Sequence, residues 1–94
     1  MRRYPESERR GEVARLAGDL LRESGDCSGA IEAYDTALGG RIRRGMTDGV
    51  TFHRAVCVQR RDRKAGAAAL KTYLQSFPSG RFRADAQKLL SSAP

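Results

Sequence analysis

The chain has 94 residues, 39% hydrophobic and 31% charged, with no Trp, a length that allows one domain with a modest core. No apolar stretch approaches the roughly 18 residues of a membrane span, no tract is of low complexity, and the basic opening MRRYPESERR is followed by no apolar segment of the kind that makes a signal peptide or an anchor. Lys and Arg number 18 against 11 Asp and Glu, a formal charge of +7, which makes anionic partners worth weighing.

Val13, Leu16, Ala17, Leu20 and Leu21 recur at helical spacing, as do Ala30, Ile31, Tyr34, Ala37 and Leu38. Between these runs Ser24-Gly25-Asp26 separates two helices: Gly25 stops the first, and the Asp26 carboxylate can accept from the free N–H groups of the second. Gly39-Gly40 ends that helix, so the pair is expected to form an antiparallel hairpin. A third helix is predicted from a Thr47 cap, with Asp48 in its first turn, through Val50, Phe52, His53, Val56 and Cys57 to about Arg60. Asp62 then caps a fourth, Arg63 to about Ser76, expected to bury Ala67, Leu70, Tyr73 and Leu74. Phe77-Pro78-Ser79-Gly80 breaks the chain, and Ala84, Ala86, Leu89 and Leu90 mark a fifth helix. No segment shows strand alternation, and the fold class is all-α with about five helices.

Two groups of residues invite a chemical reading. His53 and Cys57 stand four apart on one predicted helix, a spacing that a Cys-His nucleophile, or a metal site with Cys27, would also show. Against it stand a single histidine, no CxxC pair and no cluster of ligands, and a helical thiol or imidazole facing a neighbouring helix is the ordinary core case. No catalytic, metal or cofactor site is expected, and the chain is not expected to be an enzyme. The basic clusters RIRR (Arg41 to Arg44) and RRDRK (Arg60 to Lys64) read as solvated helix ends and loops, or alternatively as phosphate contacts of a nucleic-acid-binding domain. Base stacking would need exposed aromatics, and Tyr34, Tyr73 and Phe77 are expected to be used structurally.

An internal repeat organises the chain. Tyr4-Pro5 with Val13 and Leu16 matches Phe77-Pro78 with Ala86 and Leu89, each pair 73 residues apart, close to two periods of ~34 to 36 residues in a two-helix unit. Ala14-x-x-Ala17-Gly18-x-x-Leu21, then Gly25-Asp26, Ala30-x-x-x-Tyr34 and Ala37, resembles a tetratricopeptide repeat with its aromatic opening residue replaced by alanine. The second unit, Val50-x-x-His53-Arg54-x-x-Cys57, then Asp62, Gly66-x-x-x-Leu70 and Pro78, is degenerate, with Arg54 at the small position and Arg61 at the turn glycine. The ending LKTYLQSFPSGRFRADAQKLL is similar to the variant in bacterial cell-envelope members: outer-membrane assembly lipoproteins, the periplasmic coordinator of the Tol–Pal system, and the repeat tails of FecR-like regulators.

The resemblance implies a short right-handed solenoid of antiparallel hairpins, with units over roughly 6–40 and 46–78 and a capping helix over 81–92, within a single domain 1–94 that is part of a larger protein. It implies a non-catalytic module that binds a protein, peptide or helix on the concave face of its first helices, with self-association through an open end as a further outcome. In that register the exposed faces offer Glu12, Arg15, Asp19 and Arg22 on the first helix, and Asp48, Thr51, Ala55 and Gln59 on the third. Chaperone-binding members place Asn where Asp19 and Phe52 stand, so capture of a carboxylate tail is not expected. The envelope likeness implies a periplasmic or envelope location, the cytoplasm being the alternative. In such a stack Cys27, at the start of the second helix, lies beside Cys57, near the end of the third. A Cys27–Cys57 disulfide would then staple two adjacent hairpins in an oxidising compartment, the other reading being two small buried thiols.

Overall fold

The computed structural model describes residues 6–40 and 42–92. Among them the chain forms five helices and no strand: α1 (Glu6–Glu23), α2 (Cys27–Gly39), α3 (Arg44–Arg61), α4 (Arg63–Ser76) and α5 (Arg83–Ser92). The main packing runs between consecutive helices, α1 on α2, α2 on α3, α3 on α4 and α4 on α5, as expected of successive hairpins with short connections. Arg41 of the first basic cluster and the Tyr4-Pro5 half of the repeat lie outside the described residues.

The helix boundaries follow from local chemistry at three of the turns. Gly25 takes φ +91°, a left-handed conformation that costs glycine little and ends α1. The next residue caps α2, Gly29 N–H donating to the Asp26 carboxylate at 2.9 Å. At the α3–α4 junction the Asp62 carboxylate accepts from the N–H groups of Lys64 and Ala65 at 3.0 and 3.1 Å. Gly40 closes α2, its N–H donating to the carbonyls of Thr36 and Ala37.

The start of α3 differs from expectation. The helix opens at Arg44, after Arg43, whose side chain does not cap it, so Thr47 lies inside it and Asp48 is beyond its first turn. The Asp48 carboxylate is used instead across the fold. It accepts from the Tyr73 hydroxyl of α4 and, at 2.9 Å, from the N–H of Arg81. The Tyr73 hydroxyl in turn accepts from Phe82 N–H at 3.1 Å. These bonds hold Arg81 and Phe82 in the turn before α5, which therefore begins at Arg83 and not at 81.

Two apolar clusters hold the helices together, and α3 contributes to both. Cys27, Ala30, Tyr34 and Ala37 of α2 meet Val50 and Cys57 of α3, with Ala14 and Leu21 of α1 packed against them. On the other side Phe52 and Ala55 of α3 meet Leu70 and Tyr73 of α4 and Ala86 of α5. Residues 50 and 52 are about 200° apart around a helix, so one helix can serve two cores. Phe52 stacks on Phe82 at 4.6 Å between centroids and meets Tyr73 edge-on at 5.5 Å. Ala67 and Leu74 are half-buried.

The periodic run in α1 does not all enter the core. Ala14, Gly18 and Leu21 form the inward face, whereas Val13, Leu16 and Leu20 are 60%, 51% and 68% exposed. Their repeat counterparts in α5 are placed differently, Ala86 being fully buried and Leu89 packed against the second cluster. α5 sits on the α3–α4 hairpin, while among the described residues no hairpin covers the matching face of α1.

Ala30 is fully buried in the first cluster, so Ala30→Leu is expected to force α1, α2 and α3 apart at a cost of about 1–3 kcal/mol. A lowered urea midpoint at unchanged slope would show it. An unchanged midpoint would mean that Ala30 does not sit at the helix contact.

Candidate interaction surface

The side chains singled out on α1 form one connected row. Arg15 bonds Glu12 at 3.0 Å and Asp19 at 3.4 Å, and Arg22 lies 3.8 Å from Asp19. Tyr34 of α2 donates its hydroxyl hydrogen to Asp19 at 2.6 Å and accepts from Arg22 Nε at 3.1 Å. Burial and the hydrogen bond to Asp19 raise the Tyr34 pKa far above the ordinary phenol value, which keeps the hydroxyl a donor at any physiological pH. The ring itself lies flat in the space left by Gly18, where a Cβ would stand 2.5 Å from the ring. The residues expected as an exposed face, Glu12, Arg15, Asp19 and Arg22, are half-buried and cross-linked. Arg15 Nε and Glu12 Oε1 are buried without partners.

The face expected on α3 is corrected by the structure. Ala55 is 1% exposed and belongs to the second core. Gln59 lies at the α3–α4 seam, its Cα only 2.1 Å from where a Cβ on Gly66 would stand. Asp48 is bound to Tyr73 and Arg81, and Thr51 is about 200° around the helix from His53. The cause is the rotation of α3: Ala55, and Gln59 against Gly66, turn toward α4, so that Met46, Gly49 and His53 face the α1 row.

Between these helices lies a concavity of about 90 Å³, lined by Arg15, Asp19, Met46, Gly49, Val50, His53, Arg81 and Phe82. Arg81 and Phe82 come from the turn that Asp48 and Tyr73 hold in place, and the Arg81 guanidinium lies 5.4 Å from the Phe82 ring centroid. Arg15 and Met46 also line a larger cavity of about 400 Å³ together with Arg9, Glu12, Val13, Leu16 and Arg43.

His53 reports the field in the smaller concavity. Its ring packs against Phe52 and Phe82; burial, then the positive charges of Arg22 and Arg81, push its pKa below the ordinary value against the opposing pull of Asp19. A histidine with a depressed folded pKa binds fewer protons folded than unfolded, so stability falls as the pH drops below the unfolded value of about 6.5. His53→Gln is therefore expected to flatten the decline in thermal midpoint between about pH 7 and 5. An unchanged slope in the variant would assign the decline to carboxylates.

The cysteines lie side by side at the other edge of α3. Cys57 is fully buried and Cys27 is 8% exposed, both in the first core cluster; burial, and then the neighbouring Cys27, push the Cys57 pKa up to about 12. The expected juxtaposition is found, but both are free thiols here. His53 turns to the concavity and Cys57 to Cys27, so the two do not form a pair. Among the described residues no group of three or more His, Cys, Asp or Glu side chains could hold a metal ion.

The two basic clusters are not brought together. Arg43 and Arg44 start α3, and Arg60 and Arg61 end it, about 25 Å away along the helix. Arg60 to Lys64 are exposed around the α3–α4 turn, where Arg60 and Arg61 also face the negative end of α3. Tyr34 and Tyr73 are buried and Phe77 is half-buried. No helix among the described residues is long and apolar enough to cross a membrane. The chain matches no family model, no curated protein and no solved structure.

Proposed function

We propose that the chain is a non-catalytic docking module of tetratricopeptide type that binds a protein or peptide in the concavity between α1, α3 and the turn before α5. The observation that carries this reading is the hairpin-by-hairpin packing together with a cleft lined by both first helices, α1 and α3. Stacked hairpins use such clefts for extended or helical partners. The charged row on α1 supports it, because Tyr34 and the ion pairs hold those side chains in fixed positions before any partner arrives. A parent protein of the bacterial envelope or of signalling follows from the same resemblance.

The net charge of +7 supports a second reading, nucleic-acid binding through Arg60, Arg61 and Arg63. The two readings separate in one comparison. Arg15→Glu should weaken capture of partner proteins in a pull-down; because it also removes the pairs with Glu12 and Asp19, the melting midpoint should fall somewhat, and capture is compared well below both midpoints. Charge removal at Arg60, Arg61 and Arg63 should leave capture intact. A steeply salt-dependent gel shift with DNA or RNA that vanishes in the triple variant would instead establish the nucleic-acid reading.

A further inference from the structure

We infer that the concave face reads a short peptide segment in which an acidic side chain stands close to a bulky apolar one. This rests on the docking reading above and adds the chemistry of the partner. The two cavities share Arg15 and Met46 as a common wall, so one bound segment can enter both.

The smaller cavity selects by size and charge. At about 90 Å³ it is smaller than the roughly 150 Å³ closed cavity that houses a benzene ring, so it suits a carboxylate better than a fully inserted aromatic side chain. Guanidinium groups reach it from two elements, Arg15 on α1 and Arg81 in the turn before α5. The one carboxylate in its wall, Asp19, is already engaged by Tyr34, Arg15 and Arg22. The Arg15 guanidinium is itself paired with Glu12 and Asp19, whereas Arg81 is exposed with its guanidinium held near Phe82. Positive charge therefore exceeds negative charge in this wall, and Arg81 presents a planar fork that suits a carboxylate.

The larger cavity selects by apolarity. Val13 and Leu16, more than half exposed on α1, line it with Met46 across from them, and its volume of about 400 Å³ admits a Leu, Met or Phe side chain. Methionine adapts to several such shapes. Arg9 and Arg43 stand at its border, so the basic character continues along the groove and complements an acidic segment. An apolar anchor in a desolvated pocket, fixed in register by a charged neighbour, is the usual division of labour in a small interface.

The test is selection from a random dodecapeptide display library on the immobilised full chain. Enriched peptides are expected to share an Asp or Glu within a few positions of Leu, Met or Phe. For an enriched peptide, fluorescence anisotropy should show binding weakened about tenfold or more by Arg81→Gln, by Leu16→Ser, and by changing the peptide's acidic residue to its amide. Arg81 and Leu16 are both exposed, and an unchanged melting midpoint would keep the comparison clean; Arg81→Lys should recover part of the loss. Enriched peptides that lack an acidic residue, or that bind Arg81→Gln as well as the parent chain, would overturn the inference while leaving the docking reading intact. If no peptide is enriched over a blank surface, both fall together.

Discussion

Gly66→Ala is expected to be among the most damaging single substitutions in the chain, although it replaces glycine inside a helix with the best helix former. A Cβ at Gly66 would stand 2.1 Å from Gln59 Cα and 2.6 Å from Gln59 N. Both are backbone atoms of α3, so no rotamer change relieves the clash, and α3 and α4 must separate. Overpacking of this kind costs about 3 kcal/mol against a helix-propensity gain of about 1 kcal/mol. The net loss of about 2 kcal/mol is a large share of the stability of so small a domain. Gly45→Ala makes the control, since no atom lies within 4 Å of its Cβ and the substitution should stabilise by about 0.5 kcal/mol. Chemical denaturation of both variants measures the pair; equal midpoints for parent and Gly66→Ala would mean that the hairpin is looser than its packing shows.

The second large effect is of opposite sign. Oxidative refolding with oxidised glutathione is expected to join Cys27 and Cys57, two thiols giving one disulfide while the reagent takes up both hydrogens as reduced glutathione. The bond would close a loop of about 30 residues, worth about 3–4 kcal/mol in the chain-entropy model. The native side of the equilibrium is favourably arranged, because the two cysteines already share one core cluster. With the Cys57 pKa pushed up to about 12, little thiolate is present at neutral pH and the folded protein should oxidise slowly. Refolding in the presence of the oxidant avoids that obstacle. The product should melt higher without reductant than with it. Two titratable thiols after such refolding would rule the bridge out.

What could be read ahead in the sequence was the chemistry that acts over three or four residues. Asp26 and Asp62 cap α2 and α4 through carboxylate bonds to N–H groups two or three positions on, and Gly25 takes its left-handed turn for reasons contained in one residue. The α1 row came from the repeat register, and the ion pairs that join it, each one helical turn apart, were there to be read in the same local spacing. The beginning of α3 was not. Thr47-Asp48 carries a cap signature, but Asp48 bonds to Tyr73 and to Arg81, 25 and 33 residues later, and a bond of that separation outweighs a local preference. The same pair of bonds fixes Arg81 and Phe82 in the cleft wall, which is why both were missed. The Gly80 turn and the aromatic after it were the available signals.

The rotation of α3 was lost for a related reason. Arg54 was aligned with the small position of the repeat, yet the close approach to α4 is made by Ala55 and by Gln59 over Gly66. Hydrophobic spacing also revealed the stripe Val13, Leu16 and Leu20 without revealing that it faces outward. Periodicity records that a helix has an apolar side; only the neighbouring element decides whether that side is covered.

Each hairpin ties its second helix to its first through a tyrosine and an aspartate, Tyr34 to Asp19 and Tyr73 to Asp48. The consequence reaches beyond folding, because Asp19 lines the cleft and Asp48 positions the turn that completes it. Anyone redesigning this surface, or any lineage diverging from it, has two classes of position to work with. Changes at the aspartates alter the cleft lining and the architecture at once, whereas the side chains of Met46, His53 and Arg81 take no part in those two latches. The shape and charge of the cleft are therefore most readily varied at these three, with the tyrosine-bound scaffold held constant beneath them.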